Sequence, residues 1–216
     1  MNILSRTFFA VAVSTTALMI IPQEVHAQEL HKKSMQDFCV TEGRIEARPD
    51  GTLIVEDSKT RAVLCRGTDH TAEIEFRYRG PTSDVSALGS GAVRTQIGLK
   101  LKAQDACNLI YVMWRIAPAS SIVVSTKRNP GQRTSAECEN SGYQNVKAER
   151  EMAVPRVLEG TTHTMRAKLS GNSLLVIADG AAVWEGGLPV WTSQLHGPAG
   201  FRTDNGRFDI RFLAAP

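Results

Sequence analysis

The sequence is short of the features that most directly announce a chemistry. It has no C-x-x-C pair, and no histidine stands at ligand spacing from a cysteine, which argues against a structural zinc site. No G-x-S-x-G turn is present to raise a serine nucleophile. Basic and acidic residues nearly balance, 25 Lys and Arg against 22 Asp and Glu for a net charge of +3. They are spread along the chain without the basic blocks of a nucleic-acid-binding arm, so nucleic acid is discounted as a partner. Long helical periodicity is missing. After the first 27 residues no apolar run approaches the roughly 20 residues that a membrane span requires.

Those first residues have a layout of their own. Arg6 precedes an apolar run from Phe8 to Ile21, and Val25-His26-Ala27 puts small residues where a signal peptidase reads. Residues 1–27 are therefore predicted to be a secretory signal cut after Ala27, which sends the rest to the periplasm or outside the cell. The run is too short to span a bilayer, and no cysteine follows the cut to carry a lipid. Residues 28–38, which include "QELHKKSMQD", read as a solvated leader, and 39–216 as one domain with a single core. Cys39, Cys65, Cys107 and Cys138 all lie beyond the cut. An even count in an exported chain predicts two disulfides, and four cysteines allow three connectivities. The pairing Cys39–Cys65 with Cys107–Cys138 is favoured here because each bond then staples neighbouring segments. Loops of that size contribute about 3 to 4 kcal/mol each.

Period-two alternation dominates from there on. "TAEIEFRYRG" sets Ile74, Phe76 and Tyr78 against Glu73, Glu75, Arg77 and Arg79. "AVRTQIGLKLKA" sets Val93, Thr95, Ile97, Leu99 and Leu101 inward, against Arg94, Gln96, Lys100 and Lys102. "NLIYVMWRIAP" is apolar on both faces until Arg115, as a central covered strand is. "HTMRAKL" and "SLLVIAD" are strands joined at Gly171-Asn172, and "AAVWEG" returns after Asp179-Gly180, a dipeptide suited to a tight hairpin. About a dozen short strands in one domain predict an all-β, two-sheet antiparallel sandwich or jelly roll. Two long polar stretches interrupt the pattern, residues 80–92 and 128–142. Loops of such length are uncommon unless they bind something or are mobile, and Cys138 would anchor the second as an ordered rim.

The succession "DGTLIV", "AEIEFRYR", "HTMRAKLSGNSLLVIADGAAVWEG" and "GPAGFRTDNGRFDIRFL" resembles the concanavalin A-like lectin and glucanase jelly rolls. It looks most like their laminin-G-like and 3-keto-disaccharide hydrolase-type members. The resemblance implies a jelly-roll fold, and its specific part is the last third, from Met165 to Leu213. It implies no single activity, because one such fold hosts lectins, hydrolases, lyases and interaction modules. The glucanase pattern E-x-D-x-x-E is not met: Glu73-Ile74-Glu75 is its nearest counterpart, without the middle Asp or the final Glu. Glu73 and Glu75 share one strand face as a glycosidase pair would, but alternating charge on a solvated face accounts for them as well. The alginate-lyase branch of these jelly rolls uses instead a basic, aromatic-bearing concave sheet that neutralises uronates, although its strand motifs are not matched here and no His accompanies Gln96. Here Arg94, Gln96 and Lys100 share a strand face, with Tyr111 and Arg115 on the next strand.

Trp191, in the loop-like "LPVWTSQLHGP", is a candidate platform for a sugar ring, whereas Trp114 in an apolar strand reads as core. Asp209 in "RFDIRF" matches a position that helps hold a structural calcium in several jelly rolls, though calcium needs several oxygen ligands and only this one is evident. No other cofactor is implied. His70, His163 and His196 are scattered and read as surface or packing residues. The function predicted first is thus an exported carbohydrate-binding protein with a preference for acidic glycans at Arg94, Gln96, Lys100, Tyr111, Arg115 and Trp191. The alternatives are a polysaccharide hydrolase or lyase, and an envelope domain that binds a protein partner.

Overall fold

A computed structural model describes residues 29–67 and 70–215. The predicted signal segment, 1–27, lies outside the described residues. Sixteen strands, numbered in chain order, form two antiparallel sheets. The nine-stranded sheet comprises β1 (His31–Lys33), β3 (Glu46–Ala47), β4 (Leu53–Val55), β6 (Thr71–Pro81), β11 (Arg150–Glu151), β12 (Thr162–Ser170), β13 (Ser173–Ala178), β14 (Ala181–Gly187) and β16 (Gly206–Ala214). Its order is β11-β14-β13-β12-β6-β16-β4-β3, with β1 added to β16. The seven-stranded sheet comprises β2 (Phe38–Glu42), β5 (Lys59–Leu64), β7 (Thr95–Leu101), β8 (Leu109–Ala117), β9 (Ser121–Lys127), β10 (Tyr143–Asn145) and β15 (Gly200–Asp204). Its order is β10-β9-β8-β7-β15-β5-β2.

One face of each sheet is apolar because alternate side chains point the same way. Ile74 and Phe76 of β6, Met165 and Ala167 of β12, and Phe208, Ile210 and Phe212 of β16 supply the inner face of the larger sheet. Ile97, Leu99 and Leu101 of β7, Val112 and Trp114 of β8, and Phe201 of β15 answer from the smaller one. Edge-to-face contacts join them: Phe76 with Trp114 at 5.5 Å, and Phe38 with Phe201 and Phe212 at 5.4 and 5.3 Å. Val93 does not follow the predicted inward set. It precedes β7 and is exposed, because the pairing with β8 begins at Thr95.

The β12–β13–β14 meander turns where its glycines stand. Gly171 has φ 58°, and Asp179 and Gly180 have φ 47° and 82°, the positive pair that a tight hairpin turn requires. The disulfides are Cys39–Cys65 and Cys107–Cys138. Within the segment 28–38, His31–Lys33 pair with Phe212–Ala214, while most of the neighbouring side chains stay in solvent. No helix among the described residues is long and apolar enough to cross a membrane.

Candidate functional site

The outer face of the seven-stranded sheet carries a cleft of about 380 Å³. Strand register explains its composition, since residues paired across neighbouring strands share a face and form rows. One row holds Lys100, Tyr111, Ser125 and Asn145. The next holds Arg61, Arg202, Gly98, Met113 and Val123. The third holds Lys59, Asp204, Gln96, Arg115 and Ser121. Arg94, Gln96, Lys100, Tyr111 and Arg115, nominated from the sequence, all line this one cleft. Gly98 leaves room for Met113, whose side chain and backbone lie where a Cβ would stand.

Both long polar loops close over the cleft. Leu88, Gly89 and Ser90 come from the first, and Ser135, Glu139 and Asn140 from the second. Asn205, at φ 53°, holds the first loop: its side chain donates to the carbonyls of Ser86 and Arg94 and accepts from the Ser86 N–H. The second is fixed by the Cys107–Cys138 bond and by the Asn108 amide, which donates to the carbonyls of Asn129 and Gln132.

Charge in the cleft is unevenly compensated. Asp204, fully buried, accepts from Gln96 Nε2 at 2.7 Å, Arg61 Nη2 at 2.8 Å and Arg202 Nε at 2.8 Å. Arg61 also lies 3.5 Å from Glu42. Lys127 Nζ donates to the carbonyl of Glu139 at 2.9 Å. Lys100 is only 4% exposed and lines the cleft, and among the described residues its amine makes no hydrogen bond or ion pair. Burial, reinforced by Arg61 and Arg202, pulls its pKa down to about 7. At the other end of the cleft the Arg115 Nε is buried without a partner among the described residues. Burial, and then Arg94 beside it, hold the Arg115 guanidinium below its ordinary value.

Aromatic surface flanks Lys100. Tyr111 stacks on Tyr143 at 5.8 Å, Arg202 lies 5.3 Å from the Tyr111 ring and Lys127 lies 5.0 Å from the Tyr143 ring. Burial, with Tyr143 second, raises the Tyr111 phenol, so it stays protonated at neutral pH. Seven lysine and arginine side chains therefore line the cleft against two glutamates, over a floor of Met113, Val123 and the tyrosines. Such a surface attracts anions and packs against apolar ring faces.

The other nominated residues lie elsewhere. Trp191 sits in the short 3-10 turn Val190–Gln194, packed against the core with the Arg128 guanidinium 5.2 Å from its ring, and does not line the cleft. Asp209 is on the outer face of the nine-stranded sheet, where its carboxylate accepts from Arg48 at 3.3 Å and Arg79 at 3.4 Å. Among the described residues no group of three or more His, Cys, Asp or Glu is placed to hold a metal ion. Glu73 pairs with Arg166 and Glu75 with Arg211 on that same outer face. His163 is a packing residue bridged to Asp179 and Thr161.

Arg61, Arg202, Asp204, Lys127 and Tyr143 were not singled out from the sequence. A signal existed in "GFRTDNG", where Arg202 and Asp204 alternate on one face of a strand whose other face, Phe201 and Thr203, is buried. Arg61 alternates likewise with Thr60 and Ala62 in β5.

No protein-family model matches the chain, and no curated protein matches it by sequence. Solved structures do resemble it. Carbohydrate-binding module CBM66 from Bacillus subtilis is 12% identical with a TM-score of 0.56, over 81% of this chain and 91% of that one. The metal-free Emp46p carbohydrate recognition domain is 10% identical with a TM-score of 0.51, over 83% and 88%. At these identities the likeness is one of fold: a two-sheet antiparallel jelly-roll sandwich of concanavalin A-like topology.

Proposed function

We propose that the protein is an exported glycan-binding β-sandwich whose seven-stranded sheet holds a saccharide bearing acidic groups. The observation that carries this reading is the cleft's positive charge at Lys100, Arg94 and Arg115, which no carboxylate among the described residues pairs, above an apolar and aromatic floor. A neutral sugar would leave the Lys100 amine and the Arg94 and Arg115 guanidiniums facing hydroxyls alone, whereas a carboxylate or sulfate supplies the stronger charge-assisted bonds. Two similar structures are a carbohydrate-binding module and a carbohydrate recognition domain, which supports a saccharide ligand over other anions. Two disulfides accord with an oxidising compartment.

The test is a panel of neutral, uronate-bearing and sulfated glycans, applied to the wild-type protein and to Arg94→Ala with Lys100→Ala. Wild-type binding to acidic glycans is expected, and its loss in the double variant with a thermal midpoint moved by only a few degrees. Acidic binding that survives both substitutions places the site elsewhere. A blank panel from folded protein turns the assignment to the alternative of an envelope protein partner.

A further inference from the structure

The uncompensated cations are not pooled in one spot. Lys100 stands in the first row of the cleft and Arg115 in the third, opposite Gln96. Gln96 and Lys100 are four residues apart on β7, which places the two rows about 13 Å apart. Between them lies the row of Gly98, Met113 and Val123, which presents no charge on that side of β7. The charges next to Lys100 on β15 and β5, Arg202 and Arg61, are already engaged by the buried Asp204.

We propose that the cleft is a two-station reader of acidic oligosaccharides, with one acidic group held at Lys100, a neutral ring over Met113 and Val123, and a second acidic group held at Arg115 and Arg94. This deepens the glycan-binding reading and rests on it. The ligand class it selects is a polysaccharide that carries an acidic group on alternate sugars, because adjacent acidic groups fall short of the second station and a single one leaves a station unfilled. Each station meets the same physical need. Lys100 is more than nine-tenths buried with no acceptor among the described residues, and the Arg94 and Arg115 guanidiniums line the cleft with no described carboxylate paired to either. A buried donor without a partner costs free energy that an anionic oxygen recovers on binding.

The stations differ in a way that makes them separable. The groups that bear on Lys100 are Glu42 of β2, Arg61 of β5, Arg202 of β15, Lys127 of β9 and Tyr111 of β8, with Tyr143 of β10 stacked beyond it. Only Glu42 favours its charged form, so the free amine titrates near neutrality. An anion seated there restores the ammonium, and binding takes up a proton above about pH 7. The second station presents guanidiniums in place of an amine.

The probes are a hyaluronan tetrasaccharide, which has a carboxylate on alternate rings, the same tetrasaccharide with one carboxylate reduced to the alcohol, and neutral chitotetraose, titrated calorimetrically at pH 6.5, 7.5 and 8.5. The dicarboxylate is expected to bind at least tenfold tighter than the monocarboxylate at pH 6.5, and to lose affinity severalfold by pH 8.5. Lys100→Met is expected to lower the dicarboxylate to the monocarboxylate level and abolish the pH dependence. Arg94→Met with Arg115→Met is expected to lower affinity equally but keep that dependence. Lys100→Arg, which keeps the charge, separates lost binding from lost folding by retaining affinity without the pH slope. Equal affinity for mono- and dicarboxylate overturns the two-station proposal while the acidic-glycan reading stands. If neither acidic probe binds more tightly than chitotetraose, both fail.

Discussion

Lys100 shows how far one side chain's position outruns its identity. Its alternation in "QIGLKLK" marks it as facing away from the core, which ordinarily means solvent. The loops above it and the arginines beside it make that face an interior instead, and its pKa falls to about 7. Because the folded state binds this proton less tightly than the unfolded chain, the cost to stability is full below about pH 7. It is relieved as the pH rises from there toward the ordinary lysine value, with a slope of up to about 1.4 kcal/mol per pH unit. Lys100→Met is expected to be more stable than wild type at pH 6 and to remove that slope, as read by urea denaturation between pH 6 and 9. A parallel pair of stability curves would contradict a buried, unpaired amine. Asp204 is the converse case. Its carboxylate holds Arg61 and Arg202, both mostly buried, so Asp204→Asn is expected to cost about 3 to 5 kcal/mol, measured by the same denaturation.

At the scale of elements, the strands were largely legible and the walls were not. β6, β7, β8 and the β12–β13–β14 meander follow from period-two alternation and from glycines at turns, which are local properties of the chain. That is also why Arg94, Gln96, Lys100, Tyr111 and Arg115 emerged together, since β7 and β8 are neighbours in sequence as in the sheet. Arg61 and Arg202 escaped notice because β5 and β15 are far apart in sequence, and only their pairing beside β7 brings them to the cleft. Trp191 lies apart from them for a related reason: its 3-10 turn packs it against the core, away from the cleft. The disulfides divide between the two roles. Cys107–Cys138 fixes the wall that carries Glu139 and Asn140, whereas Cys39–Cys65 ties the entry of β2 to the end of β5. Replacing either pair with serines is expected to cost about 3 kcal/mol. Only the Cys107→Ser, Cys138→Ser variant is expected to weaken glycan binding as well. Equal binding by both variants would remove the second loop from the site.

Across the whole molecule the two outer faces are built differently, although one apolar core serves both. The nine-stranded sheet neutralises itself: Arg166 with Glu73, Arg211 with Glu75, and Arg48 and Arg79 with Asp209. The seven-stranded sheet leaves Lys100 and the Arg115 Nε without a partner among the described residues and walls them with two ordered loops. Holding unpaired donors out of water costs stability, and a fold accepts that cost where a ligand recovers it. The most direct test is therefore where an acidic polysaccharide touches the protein. Backbone amide shifts should be followed by NMR as the hyaluronan tetrasaccharide is added to uniformly labelled protein. The expected result is perturbation confined to β7, β8, β9, β15 and the loops 80–92 and 128–142, with β6, β12 and β13 unmoved. Perturbation centred on the nine-stranded sheet, or none at saturating tetrasaccharide, would contradict a glycan site on the seven-stranded face.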